Sequence, residues 1–330
     1  MLKMQILLSV ILTTFLFIPV LAQSPQSEIE EPIIKVDTNL VSFDVQVLNK
    51  KTNTPIKNLT TNNFEVYEDN VKQEITNFSQ DQLPLSVLLL VDVSGSTDTI
   101  SYEVQQATIE ALGQLKDKDE IGLMAFASGT GAIDLFTTNK RIIVDYLEAV
   151  RLKTRKLGLT TNFKGAINEV VNHMKKFGNS NYRKVVIVIT DNIINPINDL
   201  DKNEIVTKLL ESNITVSCLI VQDIDASSVF NNGGSLTANI FGDEVNNFVN
   251  ETGGEIFDAR RTSISEKFVE LVDHLRARYS IGYFSSNTKT DRKLRKIKIN
   301  VISSDLEISK EDLVVKARRG YFVPKESKNK

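Results

Sequence analysis

Between Leu85 and Tyr279 the chain alternates short apolar runs of strand length with stretches whose apolar residues recur every three to four positions. Strands are read near 85–93, 120–127, 132–137, 184–190, 215–221 and 255–258. Helices are read near 100–116, 140–152, 162–177, 200–212, 242–252 and 264–278. This alternation predicts an α/β unit: a doubly wound, mostly parallel sheet with helices on both faces. One antiparallel edge strand is expected at Ile133–Thr137. The last helix opens on the capping-box pattern Ser263-x-x-Glu266 and carries Phe268, Leu271, Val272 and Leu275 on one face.

On either side of this unit the period changes to two. Val41, Phe43, Val45 and Val47 alternate with Ser42, Asp44 and Gln46; Phe64 and Val66 alternate with Glu65 and Tyr67. Asp69-Asn70 reads as a hairpin turn before Val71, Gln73 and Ile75. After the unit, Tyr279, Ile281 and Tyr283 form a stripe, Ile297, Ile299 and Val301 alternate with Lys296, Lys298 and Asn300, and Val314–Val323 follows. Each flank has too few strands to bury an apolar face and leaves an edge open, and pairing the two removes both faults. The reading is therefore one small β-sandwich, its first half at 36–80 and its second at 280–324, with the α/β unit of 84–279 inserted between them.

The chemistry-bearing residues gather at strand ends. Leu88–Val91 reads as a buried strand that delivers Asp92-x-Ser94-Gly95-Ser96 to its carboxyl end. Val185–Ile189 leads likewise to Thr190-Asp191. Gly158-Leu159-Thr160-Thr161-Asn162 precedes the helical stripe Phe163, Ala166, Ile167, Val170, Val171, Met174 and Phe177. In parallel sheets, ligands collect outside the carboxyl ends of the strands. Asp92, Ser94, Ser96, Thr161 and Asp191 thus form a candidate metal site of two carboxylates and three hydroxyls, with Thr160 as the alternative hydroxyl. A hard cation such as Mg²⁺ or Mn²⁺ suits an all-oxygen set and keeps a position for an outside ligand. A lone Asp-x-Ser-Gly-Ser is also an ordinary helix-capping turn.

These motifs, in this order, resemble the metal-ion-dependent adhesion site (MIDAS) of von Willebrand factor A domains. The resemblance implies that Asp92, Ser94, Ser96, Thr161 and Asp191 hold Mg²⁺ or Mn²⁺ and that the partner is a protein presenting an Asp or Glu carboxylate. Asn192 stands where the family usually has Gly, and Asn tolerates the left-handed backbone such a turn needs. The flanking strands, with Arg276-x-Arg278-Tyr279-x-x-Gly282-Tyr283 and Arg318-Arg319-Gly320-Tyr321-Phe322, are similar to a bacterial family of secreted proteins related to that domain.

Lys3, the apolar run Ile6–Leu21 and Val20-Leu21-Ala22 read as a secretory signal over 1–22, with an uncleaved membrane anchor as the alternative. Residues 23–35 read as a linker and 325–330 as a tail. The expected location is secreted, periplasmic or cell-envelope. Cys218, the single cysteine, sits in an apolar run and is read as a buried, inert side chain.

From Arg276 onward there are 15 Lys+Arg against 6 Asp+Glu, a net of +9. Alternation with isoleucine assigns these cations to solvated strand faces, and no aromatic interleaving points to stacked bases, so no nucleic-acid partner is expected. As an enzyme the chain would be a metal-dependent phosphotransferase with Asp92 as nucleophile, but Ser94 occupies the position of the second acid that such enzymes need. His173 and His274 both fall within helices, and no P-loop, His-Glu-x-x-His or Gly-x-Ser-x-Gly motif occurs. The leading expectation is a non-enzymatic, metal-dependent binding module, with a structural envelope component as the third reading.

Overall fold

The computed structural model describes residues 40–80, 83–132, 136–153, 157–192, 200–222, 237–302 and 309–323. The expected signal, linker and tail lie outside the described residues, as do 133–135 of the expected edge strand. The chain opens with β1 (Leu40–Asn49), β2 (Phe64–Glu68), β3 (Val71–Gln73) and β4 (Ile75–Ser79). The α/β unit follows with β5 (Leu85–Asp92), α1 (Ser101–Leu112), β6 (Glu120–Phe126), β7 (Thr130–Ala132), α2 (Lys140–Lys153) and α3 (Phe163–Phe177). It continues through β8 (Arg183–Thr190), α4 (Lys202–Glu211), β9 (Ile214–Gln222), α5 (Thr237–Thr252), β10 (Ile256–Arg260) and α6 (Ile264–Arg276). Strands β11 (Tyr279–Phe284), β12 (Leu294–Val301), β13 (Leu313–Ala317) and β14 (Gly320–Phe322) come last.

The central sheet has the order β10-β9-β8-β5-β6-β7, parallel except for the edge pair β6–β7. All eight residues of β5 are buried because its side chains alternate between two cores. Leu85, Val87, Leu89 and Val91 pack with α1, α2 and α6, whereas Leu88 and Leu90 pack with α3, α4 and α5. Burying such a side chain contributes about 1.5–3 kcal/mol, which makes β5 the spine of the unit. The chain leaves β5 toward β6 on one side and later returns to pair β8 on the other. That reversal opens a crevice at the carboxyl ends of β5 and β8.

Two local expectations are corrected. The antiparallel edge strand is Thr130–Ala132, and of the expected Ile133–Thr137 stretch Thr137 forms an isolated antiparallel bridge to Ile121. An edge strand pairs through its backbone, so Thr130-Gly131-Ala132 carries no apolar signal, while Ile133 and Leu135 do. Ser263 does not cap α6. Its hydroxyl donates to the Arg260 carbonyl and accepts the Arg260 N–H, at 3.3 and 3.2 Å, closing the turn before the helix.

The sandwich mixes both ends of the chain in each sheet: β13-β1-β11-β4 in one and β14-β12-β2-β3 in the other. Val41, Phe43, Val45 and Val47 pack with Phe64, Val66, Tyr279, Ile281 and Tyr283 in a single core. Asp69 and Asn70 turn β2 into β3 at φ of 47° and 69°, the left-handed pair that two-residue hairpins favour. On β12, Ile297 and Ile299 face this core while Lys296 and Lys298 are exposed, which accounts for the basic alternation as a solvated face.

A buried polar seam joins the sandwich to the α/β unit. Arg183 pairs with Asp44 at 2.8 Å and donates to the Leu275 carbonyl at 3.0 Å and to Ser280 Oγ at 3.2 Å. Gln46 donates to the His274 carbonyl and accepts from Arg278, both at 3.3 Å. The last turn of α6 is therefore satisfied by side chains from β1 and β8, and three residues later the chain is already in the sandwich strand β11.

Candidate metal site

Asp92 ends β5 and is 5% exposed. The chain does not wait until Ile100 to become helical. It winds at once into a tight 3-10 turn, Gly95–Ile100, that feeds α1. The cause is Thr97, whose buried hydroxyl donates to the Asp92 and Ser94 carbonyls at 3.2 and 2.9 Å. Ser94 stands at the N-cap position yet makes no side-chain capping bond. Its Oγ lies 3.2 Å from Ser96 Oγ instead. The two hydroxyls are turned toward each other rather than used up on the helix end, which separates this turn from an ordinary cap.

The Asp92 carboxylate is held at both oxygens. Oδ1 accepts the Ser94 N–H at 2.9 Å and Oδ2 accepts the Thr190 hydroxyl at 2.6 Å. Burial pushes this carboxyl up to about 6; the Thr190 and Ser94 hydrogen bonds pull against it, and the charge of Asp191 adds to the rise. A buried carboxylate with a second one nearby is short of positive charge, the condition a bound cation relieves.

The other two segments converge on the same end of the sheet. Asp191 follows directly on β8, half-buried, and Asn192 turns the chain at φ 62°, the left-handed conformation expected of it. The 157–162 loop is tied to the Asp92 turn by the Gly95 N–H donating to the Leu159 carbonyl at 3.2 Å, and to the end of β6 by the Asn162 N–H donating to the Ala127 carbonyl at 2.8 Å. Of the two neighbouring threonines, Thr160 is exposed and its hydroxyl pairs with Ser128 Oγ at 2.6 Å. Thr161 is buried. Asn162 caps α3, accepting the Gly165 N–H at 3.0 Å. The structure thus brings the Asp92, Ser94 and Ser96 side chains into one turn and places Asp191 and Thr161 on the two segments bonded to that turn.

The donor set is two carboxylates and three hydroxyls, and among the described residues no cluster of three or more His, Cys, Asp and Glu residues offers another metal centre. Such all-oxygen sets fit hard divalent cations. Neither histidine serves this end of the sheet as a base. His173 packs between Phe136 and Phe177, and His274 faces Glu255 on the sandwich side. Residue-by-residue reading of the sequence missed Thr97 and the role of Thr190, both hydroxyls buried beside the Asp92 turn. The sequence signal was a hydroxyl directly before Asp191 for Thr190 and one more hydroxyl after Ser94 and Ser96 for Thr97.

Residues 87–193 match the family model of the von Willebrand factor type A domain. The chain carries a von Willebrand factor type A domain. No curated protein matches it in sequence. Among solved structures, BatB from Bacteroides thetaiotaomicron is similar at 15% identity and a TM-score of 0.41, over 57% of this chain and 99% of that one. An aerotolerance-related membrane protein from Bacteroides fragilis is similar at 16% identity and a TM-score of 0.41, over 56% and 98%. Proximal thread matrix protein 1 from the mussel byssus, in a form with a zinc-occupied MIDAS motif, is similar at 14% identity and a TM-score of 0.43, over 59% and 48%. In the A domain of this chain the family's expected site residues stand at the end of β5, after β8 and before α3.

Proposed function

We propose that this protein is an exported binding module in which Asp92, Ser94, Ser96, Thr161 and Asp191 hold Mg²⁺ or Mn²⁺ and capture a partner protein through an Asp or Glu carboxylate. The observation that carries the reading is the Asp92 turn itself. Ser94 and Ser96 present their hydroxyls 3.2 Å apart beside a buried carboxylate, with no capping role for Ser94. Two carboxylates balance a divalent charge and three hydroxyls fill further positions, so the protein's share stops at five oxygens of about six. The bound cation supplies an electrophilic position open to an outside carboxylate. What the chain's own residues do is orient: Thr97 winds the turn, Ser94 N–H and Thr190 fix Asp92, and Asn192 turns the backbone behind Asp191.

The phosphotransferase alternative is less well supported. Both oxygens of Asp92 accept hydrogen bonds, and the residue two positions on is Ser94. Export rests on the reading of residues 1–22 as a signal. The test is capture from a cell-envelope extract on immobilised protein, in Mg²⁺ or EDTA, with Asp191→Ala in parallel. The reading expects a retained protein in Mg²⁺ alone, lost with Asp191→Ala and after amidation of the extract's carboxylates. Retention at full strength in EDTA contradicts it.

A further inference from the structure

Leu159 is the most exposed large apolar side chain among the described residues, at 75%. It stands in the loop before α3, two positions ahead of Thr161. The loop is held from several sides. The Leu159 carbonyl accepts the Gly95 N–H at 3.2 Å, the Leu157 carbonyl accepts the Gly129 N–H at 2.9 Å, and the Thr160 N–H donates to Ser128 Oγ at 3.2 Å. Gly158, at a positive φ of 96°, turns the chain between them. The Leu159 side chain lies over the Asp92 turn, its Cδ2 3.7 Å from where a Cβ on Gly95 would stand. We propose that Leu159 is a specificity-determining residue of the metal site, selecting partner segments in which a large apolar side chain stands directly beside the coordinating Asp or Glu.

This role rests on the carboxylate capture proposed above and adds to it the residue next to the acid. A single exposed leucine on a protein surface is ordinary. Leu159 differs in its place and its fixity. Gly95 lies between Ser94 and Ser96, so the side chain that covers it borders the hydroxyls proposed to hold the cation. An Asp or Glu carboxylate hangs from its backbone by one or two methylenes, so a segment that reaches the cation brings its neighbouring residues down onto the same turn. Leu159 is then covered, whatever the partner's identity. An apolar neighbour gains because both surfaces leave water, whereas a polar one loses hydration without a bond in return. The hydrogen bonds that hold 157–162 leave little ordering entropy to oppose the contact.

The test is panning of a phage-displayed library of random short peptides on the immobilised full chain in Mg²⁺, with elution by EDTA, for the wild type, Leu159→Ser and Leu159→Met. The wild type should enrich peptides in which Asp or Glu adjoins Leu, Ile, Met or Phe. Leu159→Ser should still enrich the acid but lose the apolar neighbour, and Leu159→Met should keep both. A synthetic copy of the most enriched wild-type peptide should bind Leu159→Ser about tenfold more weakly, the scale of one buried aliphatic side chain, while the affinity for Mg²⁺ alone stays unchanged. Acidic peptides enriched without an apolar neighbour, or a neighbour preference that survives Leu159→Ser, overturn the proposal. A fall in Mg²⁺ affinity that matches the fall for the peptide makes Leu159 merely structural and overturns it too. Eluted peptides that carry no acid, or none eluted at all, fail the carboxylate reading itself and take this proposal with it.

Discussion

Glu255 and His274 meet at 3.1 Å with side chains 3% and 4% exposed, in the seam where the A domain joins the sandwich. A carboxylate only accepts, so His274 Nδ1 is the donor. Lys316 from β13 reaches the same Glu255 oxygen at 3.3 Å. Burial alone raises the Glu255 carboxyl, but the His274 hydrogen bond and the charges of Lys316 and Arg278 outweigh it and leave the group below its ordinary value of 4.5. A carboxyl lowered by folding stabilises above its unfolded value and loses that contribution as pH falls from there through the folded value. Urea unfolding of the wild type should therefore weaken steeply below about pH 4.5, and Glu255→Gln should flatten that part of the profile while costing about 3 kcal/mol at neutral pH. Identical slopes in the two proteins contradict the assignment.

The seam also predicts one cooperative unit. Gly253 lies at φ 74°, and a Cβ there would clash with the Ala317 backbone of the sandwich. The Arg319 N–H donates to the Glu251 carbonyl across the same boundary at 3.1 Å. Calorimetry should show a single unfolding transition for the wild type. Gly253→Ala, which combines a left-handed backbone with a backbone clash, should lower its midpoint by several degrees. Separate transitions for the two domains count against a shared seam.

Tyr279 offers a sharper probe of the sandwich core. Its hydroxyl donates to the Ile56 carbonyl at 2.8 Å and accepts the Leu59 N–H at 3.0 Å. Tyr279→Phe leaves that buried amide without its acceptor and should cost about 1–3 kcal/mol in denaturant unfolding. A loss below a few tenths of a kcal/mol would show that water replaces the hydroxyl.

Cys218 is buried in the centre of β9, and burial pushes its thiol far above the ordinary range. A maleimide should label the native protein negligibly and label it fully in urea. Rapid native labelling would mean that β9 opens readily.

The strands and helices were legible in the sequence wherever a side chain's environment follows its neighbours at period two or 3.6, as along β5 and the stripe from Phe163 to Phe177. The acidic strand ends were legible too, because Asp92 and Asp191 each close an apolar run. What sequence hid depends on distant partners. Gln46 alternates with Val45 and Val47 and reads as solvent-facing, yet it is wholly buried, because α6 lies against that face of β1 and the Gln46–His274 bond spans 228 residues. Ser263 looked like a cap since a local pattern cannot tell which of two adjoining turns will claim a hydroxyl. The 3-10 winding from Gly95 likewise depends on Thr97 reaching the Asp92 carbonyl, a contact that no hydrophobic period records.

The central claim is that the end of β5 holds a divalent cation. Isothermal titration of Mg²⁺ into the full chain, alongside Asp92→Ala with matched circular dichroism, tests it directly. The account predicts saturable binding at one site per chain in the wild type and none in Asp92→Ala, because removing one of two charged ligands leaves hydroxyls and one carboxylate against water. Equal affinity in the two proteins would contradict it.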